Sequence, residues 1–284
     1  MKYYLITIFI SLLNLNCYSQ SNIDSIIKNN KVKEVRIYNV ENQIVSLTKY
    51  NSKGLLEFTS SENFANSVFL KTSLTKIYNE NNNLVKSINT HSSFSEPIIW
   101  FYEYDNRGNL STIINEKNEI VFKYFYDKKS SKIKEVLYDN NKISQTTIYR
   151  NLDNGLKQVE VIKGDFIENR ENVTYFDKNK NELKTESFDN GKLTFQAISE
   201  YDANKIKIKT TVKDNENVSG EIYTNNEKRQ LIKRQLFEVN DGIEIKGSYE
   251  TYDYFKNGLI SFYSENIYLD SNLRKYWYEY EFYE

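Results

Sequence analysis

Residues 102–110 read Tyr102 Glu103 Tyr104 Asp105 Asn106 Arg107 Gly108 Asn109 Leu110, and the fold follows from this stretch. Two tyrosines separated by one residue lie on one face of a strand. Asp105 can accept a hydrogen bond from the backbone two residues on, Gly108 tolerates positive φ, and Leu110 opens a new apolar run. The unit is strand, polar corner, strand. Degenerate copies start at Tyr38, Tyr50, Tyr78, Tyr126, Tyr138, Phe176, Phe188, Tyr201, Tyr252 and Tyr268. Their spacing clusters near one or two multiples of about twelve residues, which is a strand of about seven plus a turn of four or five. Repetition at such a period predicts an array of hairpins, an antiparallel meander.

Between corners the chain alternates. Ile98, Trp100, Tyr102 and Tyr104 share one face, with Ile99, Phe101 and Glu103 on the other, and Tyr276, Tyr278, Tyr280 and Phe282 repeat the pattern near the C-terminus. Ile206, Ile208 and Thr210 alternate with Lys205, Lys207 and Lys209, as expected of a strand with one buried and one wet face. Gly191 and Gly258, like Gly108, stand where the chain must reverse, and the asparagine pairs Asn140 Asn141 and Asn225 Asn226 fit hairpin loops. With Pro97 the only proline, almost no strand is denied its ladder hydrogen bonds.

Twist accumulates over so many strands, and the aromatic face must leave water. The predicted fold is all-β: an antiparallel meander rolled into a single sheet or open barrel-like shell, with Tyr, Phe and Leu inward. Residues 56–77 fit the repeat worst and are expected to form a longer loop or inserted hairpin. Helical spacing is convincing only at Ile23, Ile26 and Ile27, which predicts a short cap on the first sheet edge. The expected domain plan is a signal peptide over 1–19 and one β-repeat domain over 20–284, divided into a helical or irregular cap (20–33) and hairpin repeats (34–284).

The signal peptide reading rests on Lys2 followed by an apolar run through Leu13 that is too short to span a bilayer. Cys17 Tyr18 Ser19 places the cut before Gln20; cleavage before Cys17 with acylation is disfavoured because Asn14 stands three residues ahead of it. The product is expected to be exported, to the periplasm, outer surface or medium. Cys17 is the only cysteine, so a disulfide framework is excluded.

Composition removes further classes. Thirty-eight basic residues against 39 acidic ones, interleaved without a basic stripe, give no footprint for nucleic acid. No second apolar stretch reaches transmembrane-helix length. His91 is the only histidine, which leaves zinc without a ligand set. Carboxylates are plentiful, but Asp105, Asp127, Asp139, Asp177 and Asp189 sit at corners where an Asx turn accounts for them. No catalytic residue, metal or cofactor is expected. Trp277, Trp100 and Tyr278 are candidates for stacking on sugar rings, Trp277 above all because Glu279 and Glu281 share its face; core packing is the competing fate.

The stretch from Tyr102 to Leu110 resembles the YD repeat of the RHS family, Y-x-Y-D-x-x-G-x-L, at Tyr104, Asp105, Gly108 and Leu110. Weaker copies at Phe188 Asp189 Asn190 Gly191 Lys192 Leu193 and at Tyr252 Asp253 with Asn257 Gly258 Leu259 extend the likeness over roughly residues 98–274. The Asn-Gly-Lys-Leu form is also similar to MORN-like repeats of bacterial antitoxin-like proteins. The RHS resemblance implies a secreted or surface β-repeat scaffold, which encloses toxic cargo in large members and is linked to carbohydrate or cell-surface contact in others. This chain is too short to enclose a cargo domain, and it lacks the proline-containing motif that precedes a releasable toxin.

The expected function is a non-catalytic exported scaffold, a binding or structural module at the cell envelope whose partner is a cell-surface carbohydrate or a protein. The alternatives are an outer-membrane β-barrel, against which strands of about seven residues argue, and an immunity protein that binds a toxin.

Overall fold

The computed structural model describes residues 25–65, 68–165, 167–266 and 273–284; the expected signal peptide, Cys17, Ile23 and the copy at Tyr268 lie outside them. After a helical stretch at 25–29 come β1 (Val32–Tyr38), β2 (Ile44–Tyr50), β3 (Leu56–Ala65), β4 (Val68–Tyr78) and β5 (Leu84–His91). Next are β6 (Ile98–Tyr104), β7 (Leu110–Asn115), β8 (Ile120–Tyr126), β9 (Lys132–Asp139) and β10 (Lys142–Leu152). The third group is β11 (Lys157–Gly164), β12 (Ile167–Phe176), β13 (Glu182–Asp189), β14 (Lys192–Tyr201) and β15 (Lys207–Asp214). The chain finishes with β16 (Asn217–Asn225), β17 (Leu231–Asn240), β18 (Ile243–Tyr254), β19 (Ile260–Asn266) and β20 (Leu273–Phe282). Each strand pairs antiparallel with the next. β20 also pairs with β1, with Val35 opposite Tyr280 and Ile37 opposite Tyr278, so the meander closes as a 20-stranded barrel.

The corner works as its chemistry predicts. Asp105 Oδ1 accepts from the amides of Arg107 at 2.9 Å and Asn109 at 2.8 Å. Asn39, Asn51, Asn79, Asn115, Asp127, Asp177 and Asn226 do the same two and four residues on. The fourth corner position always has positive φ, yet Gly holds it only at Gly54, Gly108 and Gly258. Ser130, Lys180, Lys205 and Arg229 adopt φ of 62° to 67° there, which is why those copies are hard to see in the sequence. Lys205 and Ile206 therefore belong to a turn, not to the strand that their alternation with Lys207 and Ile208 predicts.

Two copies are a different turn. Tyr138 and Phe188 lead into two-residue hairpins, Asn140 Asn141 (φ 49° and 62°) and Asn190 Gly191 (φ 51° and 81°), where both central residues are left-handed, as in a type I′ turn. Asp189 accordingly does not cap a corner; it takes Arg170 Nε at 2.7 Å and its second guanidinium nitrogen at 3.1 Å. The copy read from Tyr252 is displaced, because Tyr254 ends the strand and the corner runs from Phe255 to Leu259 around Gly258. Within residues 56–77 the structure shows two long strands, β3 and β4, paired antiparallel with each other in place of a longer loop.

A bulge after each corner bends the sheet. Glu103 pairs with Thr112 and Tyr104 with Leu110, leaving Ser111 unpaired. Glu57, Val85, Ile133, Leu183, Ile208, Ile232 and Ser261 occupy the same bulge position. A bulge adds local twist and curvature, and its repetition, after the Asn39 and Asn115 corners at the opposite rim but most often at this one, supplies the bending that closes the ring. It also resets the alternation, placing Leu110 on the same face as Tyr104.

At that rim the repeat tyrosine has a backbone partner. Tyr104 donates to the carbonyl of Leu84 at 2.9 Å, and Tyr78, Tyr126, Tyr201, Tyr254 and Tyr280 donate to Leu56, Leu110, Glu182, Leu231 and Ile260 at 2.7–2.8 Å. Each phenol bridges to the preceding strand, so successive corners are tied along the rim.

Cross-strand pairing separates two continuous faces. The inward one carries Trp100, Tyr102, Tyr124, Tyr149, Tyr252, Tyr263, Tyr276, Tyr278 and Tyr280 among Ser, Thr, Glu and Arg. The outward one carries Arg36 and Lys123 near mid-strand and Lys49, Lys134, Lys184, Lys209 and Lys275 toward the strand ends. Several of these lysines lie over outward rings, as Lys86 does over Phe101 and Lys209 over Phe237.

A ring this wide cannot be filled by its own side chains; about eight strands is the size at which they fill the interior. Backbones approach only those of their ring neighbours among the described residues, while on the outward face the Lys209 side chain reaches Phe237 and Glu244, two and three strands away. Ile98, Leu236 and Ile245, on inward positions, remain about 40% exposed at 41%, 40% and 41%. The tyrosines therefore line a wet wall instead of piling into a packed core. Among the described residues the apolar cluster lies at the seam, where Ile27 packs with Val32, Val35 and Leu259 against Ile26, Ile37, Tyr50, Tyr278 and Tyr280. The predicted cap is thus present at 25–29, but it covers the inner side of a closed seam, because β1 has no free edge.

Candidate functional site on the inner wall

Four strands from β17 to β20 place Arg234, Glu250, Glu265 and Arg274 directly opposite one another, forming a charged row across the inner wall. Two residues along, Tyr252, Tyr263 and Tyr276 form a parallel row of rings. Their centroids are 5.3 Å apart between Tyr252 and Tyr263, and 5.6 Å between Tyr263 and Tyr276. The period-two alternation of Glu250-x-Tyr252, Tyr263-x-Glu265 and Arg274-x-Tyr276 puts both rows on one face.

Two glutamates facing each other repel unless neutralised. Arg234 grips Glu250 with Nε at 2.8 Å and a terminal nitrogen at 2.6 Å, a bidentate fork, and Tyr252 donates to the same carboxylate at 2.6 Å. Glu265 accepts from Tyr263 at 2.9 Å and Tyr276 at 3.4 Å, with Arg274 at 3.5 Å. On β16, Tyr223 donates to Glu221, whose other oxygen is 3.7 Å from Arg234. Burial opposes charge on Glu250, yet the hydrogen bonds from Arg234 and Tyr252 outweigh it and hold its pKa below the usual glutamate value.

Burial, reinforced by Glu221, pushes the Tyr223 phenol up to about 12, and burial does the same for Tyr278, to about 12. Tyr252 and Tyr263 are raised for the same first reason, with Glu250 close by. All four are neutral at physiological pH, and Tyr223, Tyr252 and Tyr263 act as donors. On the outward face, by contrast, the chief cause raising Tyr38 is its hydrogen bond to Glu279.

Beside the rows lies a cavity of about 210 Å³ bounded by Arg234, Leu236, Ser248, Tyr249, Glu250, Glu265 and Asn266. It is smaller than the usual range for a drug-sized ligand. A second depression of about 290 Å³ lies at the corner rim among Asn51, Lys53, Glu57, Asn79 and Asn82, and Asn51 and Asn79 there already cap their turns.

The three sequence candidates do not form one site. Trp277 faces outward, 43% exposed, against Phe262 at 5.6 Å. Trp100 and Tyr278 both face the lumen, but from β6 and β20, six positions apart round the ring. Tyr278 adjoins the tyrosine row and stacks on Tyr280. Tyr104, Asp105, Gly108 and Leu110 build a corner, and Asp189, Gly191 and Gly258 serve the turns already described. His91 accepts from the Ser93 amide at 3.1 Å and leans on Phe94. Among the described residues no cluster of His, Cys, Asp and Glu could hold a metal ion, and no helix is long and apolar enough to cross a membrane. Sequence reading missed the Glu250 and Arg234 row because each member is an ordinary strand charge; only the joint register of four strands brings them together.

No protein-family model matches the chain, and no curated protein matches it. Among solved structures, the crystal structure of TcdB2-TccC3 aligns with 84% of this chain and 16% of its own, at 13% identity and a TM-score of 0.41. A porin-like protein from Bacteroides uniformis aligns over 89% of this chain and 97% of its own, at 10% identity and a TM-score of 0.41. The chain thus spans about a sixth of the length of the first and nearly all of the second. Likeness this distant establishes neither a shared function nor a shared ligand.

Proposed function

We propose that the protein is an exported, non-catalytic module of the cell envelope that binds through the inner wall of its barrel. The observation that carries this reading is the contrast between the two faces. The inner wall offers aromatic rings, hydroxyls and paired charges around open space, while the outer face is interleaved Lys, Arg, Glu and Phe. The same contrast weighs against the outer-membrane barrel. An outward Lys or Arg at the bilayer midplane would cost about 2–4 kcal/mol, and Arg36 and Lys123 stand outward near mid-strand. Strand length does not separate the two, since strands run from six residues in β7 to twelve in β18.

The non-catalytic reading rests on the β17–β20 row, where the carboxylates are paired; elsewhere on the inner wall burial raises the pKa of Glu160. Glu250 is held charged by Arg234, which leaves it a poor general acid. Fractionation of the producing cells tests the location: the protein should carry a processed N-terminus and leave membranes on carbonate washing. Retention with the membranes, or an unprocessed cytoplasmic protein, would overturn it. Release of reducing ends from oligosaccharides by the purified protein, lost in Glu250→Gln, would overturn the non-catalytic part.

A further inference from the structure

We infer that the tyrosine and charge rows of β17–β20 form a subsite for a neutral, linear oligosaccharide lying along the inner wall. The inference rests on the binding-module reading and names its ligand class.

Three features lead to it. First, Tyr252, Tyr263 and Tyr276 repeat at steps of 5.3 and 5.6 Å, on the scale of one pyranose unit in a linear chain, and each stays only half-buried. A sugar ring has C–H faces that suit aromatic faces and an equator of hydroxyls. Second, the parallel row meets that equator with planar, hydrogen-bonding groups whose orientation is already fixed. The side chains of Arg234, Glu250, Glu265 and Arg274 are 38%, 20%, 23% and 46% exposed, so they are anchored yet reachable. Preorganised partners of this kind lower the ordering cost of binding. Third, the charges nearly cancel. Arg234 and Arg274 face Glu221, Glu250 and Glu265, and the phenols are neutral, so an anionic polymer meets carboxylates and a cationic one meets arginines. A neutral polyol has no such penalty. The adjoining cavity of about 210 Å³ suits one small polar unit and not a bulky ligand.

The test is calorimetry with the purified full chain and defined probes: cellohexaose, maltohexaose and chitohexaose as neutral chains, a hyaluronan hexasaccharide as the anionic arm, and an uncharged Gly/Ser/Tyr peptide as the polypeptide arm. At least one neutral hexasaccharide should bind, and Tyr263→Ala should weaken it tenfold or more. Tyr263→Phe, which keeps the ring, should retain most of the affinity, and outward Trp277→Ala should leave it unchanged. Circular dichroism of each variant confirms that the barrel is intact; where Tyr263→Ala unfolds, Tyr276→Ala serves in its place. Failure of all three neutral sugars to bind overturns the inference, as does binding that is indifferent to the tyrosine variants or stronger to hyaluronan. Peptide binding lost in Tyr263→Ala would overturn the sugar assignment while leaving the binding-module reading standing.

Discussion

A single backbone angle explains why some corners of this chain are plain in the sequence and others hidden. Arg229 sits at φ 64°, in the region where a side chain clashes with its own carbonyl at about 1–2 kcal/mol. Arg229→Gly should therefore raise stability by about 1 kcal/mol, after allowing for the added freedom of the unfolded chain, measurable as a higher denaturation midpoint. Gly220 shows the opposite constraint. Its φ is ordinary, but a Cβ there would lie 2.0 Å from the Thr210 carbonyl and 2.7 Å from the Phe237 ring. Gly220→Ala should cost about 1–3 kcal/mol by overpacking, and a lowered midpoint in urea is the readout. Gly108, where a Cβ would meet nothing within 4 Å, is glycine for its φ of 81° alone. Residue identity at a corner is thus readable when glycine or asparagine relieves the strain, and illegible when lysine or arginine bears it.

At the scale of the element, the corner is an electrostatic device as well as a steric one. Hydrogen bonds from Asn109 hold Asp105 below the usual carboxylate range, and those from Asn181 do the same for Asp177. A depressed folded-state pKa means the unfolded chain takes up protons first. These corners accordingly contribute stability above the unfolded value of about 3.9, and the contribution is lost as pH falls through the folded one. Asn51, Asn79 and Asn226 cap the same corner without a charge. The double variant Asp105→Asn, Asp177→Asn should keep the fold and flatten the dependence of melting temperature on pH between about 5 and 2; an unchanged slope would show that these corners are not its source. The bulge that follows each corner leaves no mark in the sequence, since an unpaired Ser111 or Glu57 looks like any other strand residue. Its effect is visible only when the partner strand skips a position.

For the whole molecule, the consequence of a wide ring is that cooperativity must travel round it, because each strand packs on its ring neighbours. The seam is the place where ring closure depends on residues far apart in the chain. Ile27 anchors it from inside, and Lys33 with Glu281 at 2.5 Å holds it from outside. Ile27→Ala should cost about 2–5 kcal/mol by leaving a cavity. Hydrogen exchange should quicken in β1 and β20 first and leave β10–β12 protected; uniform quickening would mean the ring melts as one unit. The antiparallel meander, the corner chemistry around Asp105, the inward direction of the Tyr102 and Tyr278 faces and the short helical cap could all be read from the order of residues, because each depends on neighbours close in the chain. Closure of β20 onto β1, the hollow lumen and the meeting of Arg234 with Glu250 and Glu265 arise only in three dimensions. Each of these depends on the summed offsets and bulges of many strand pairs, and a slip of one residue in any of them would carry those side chains to the opposite face.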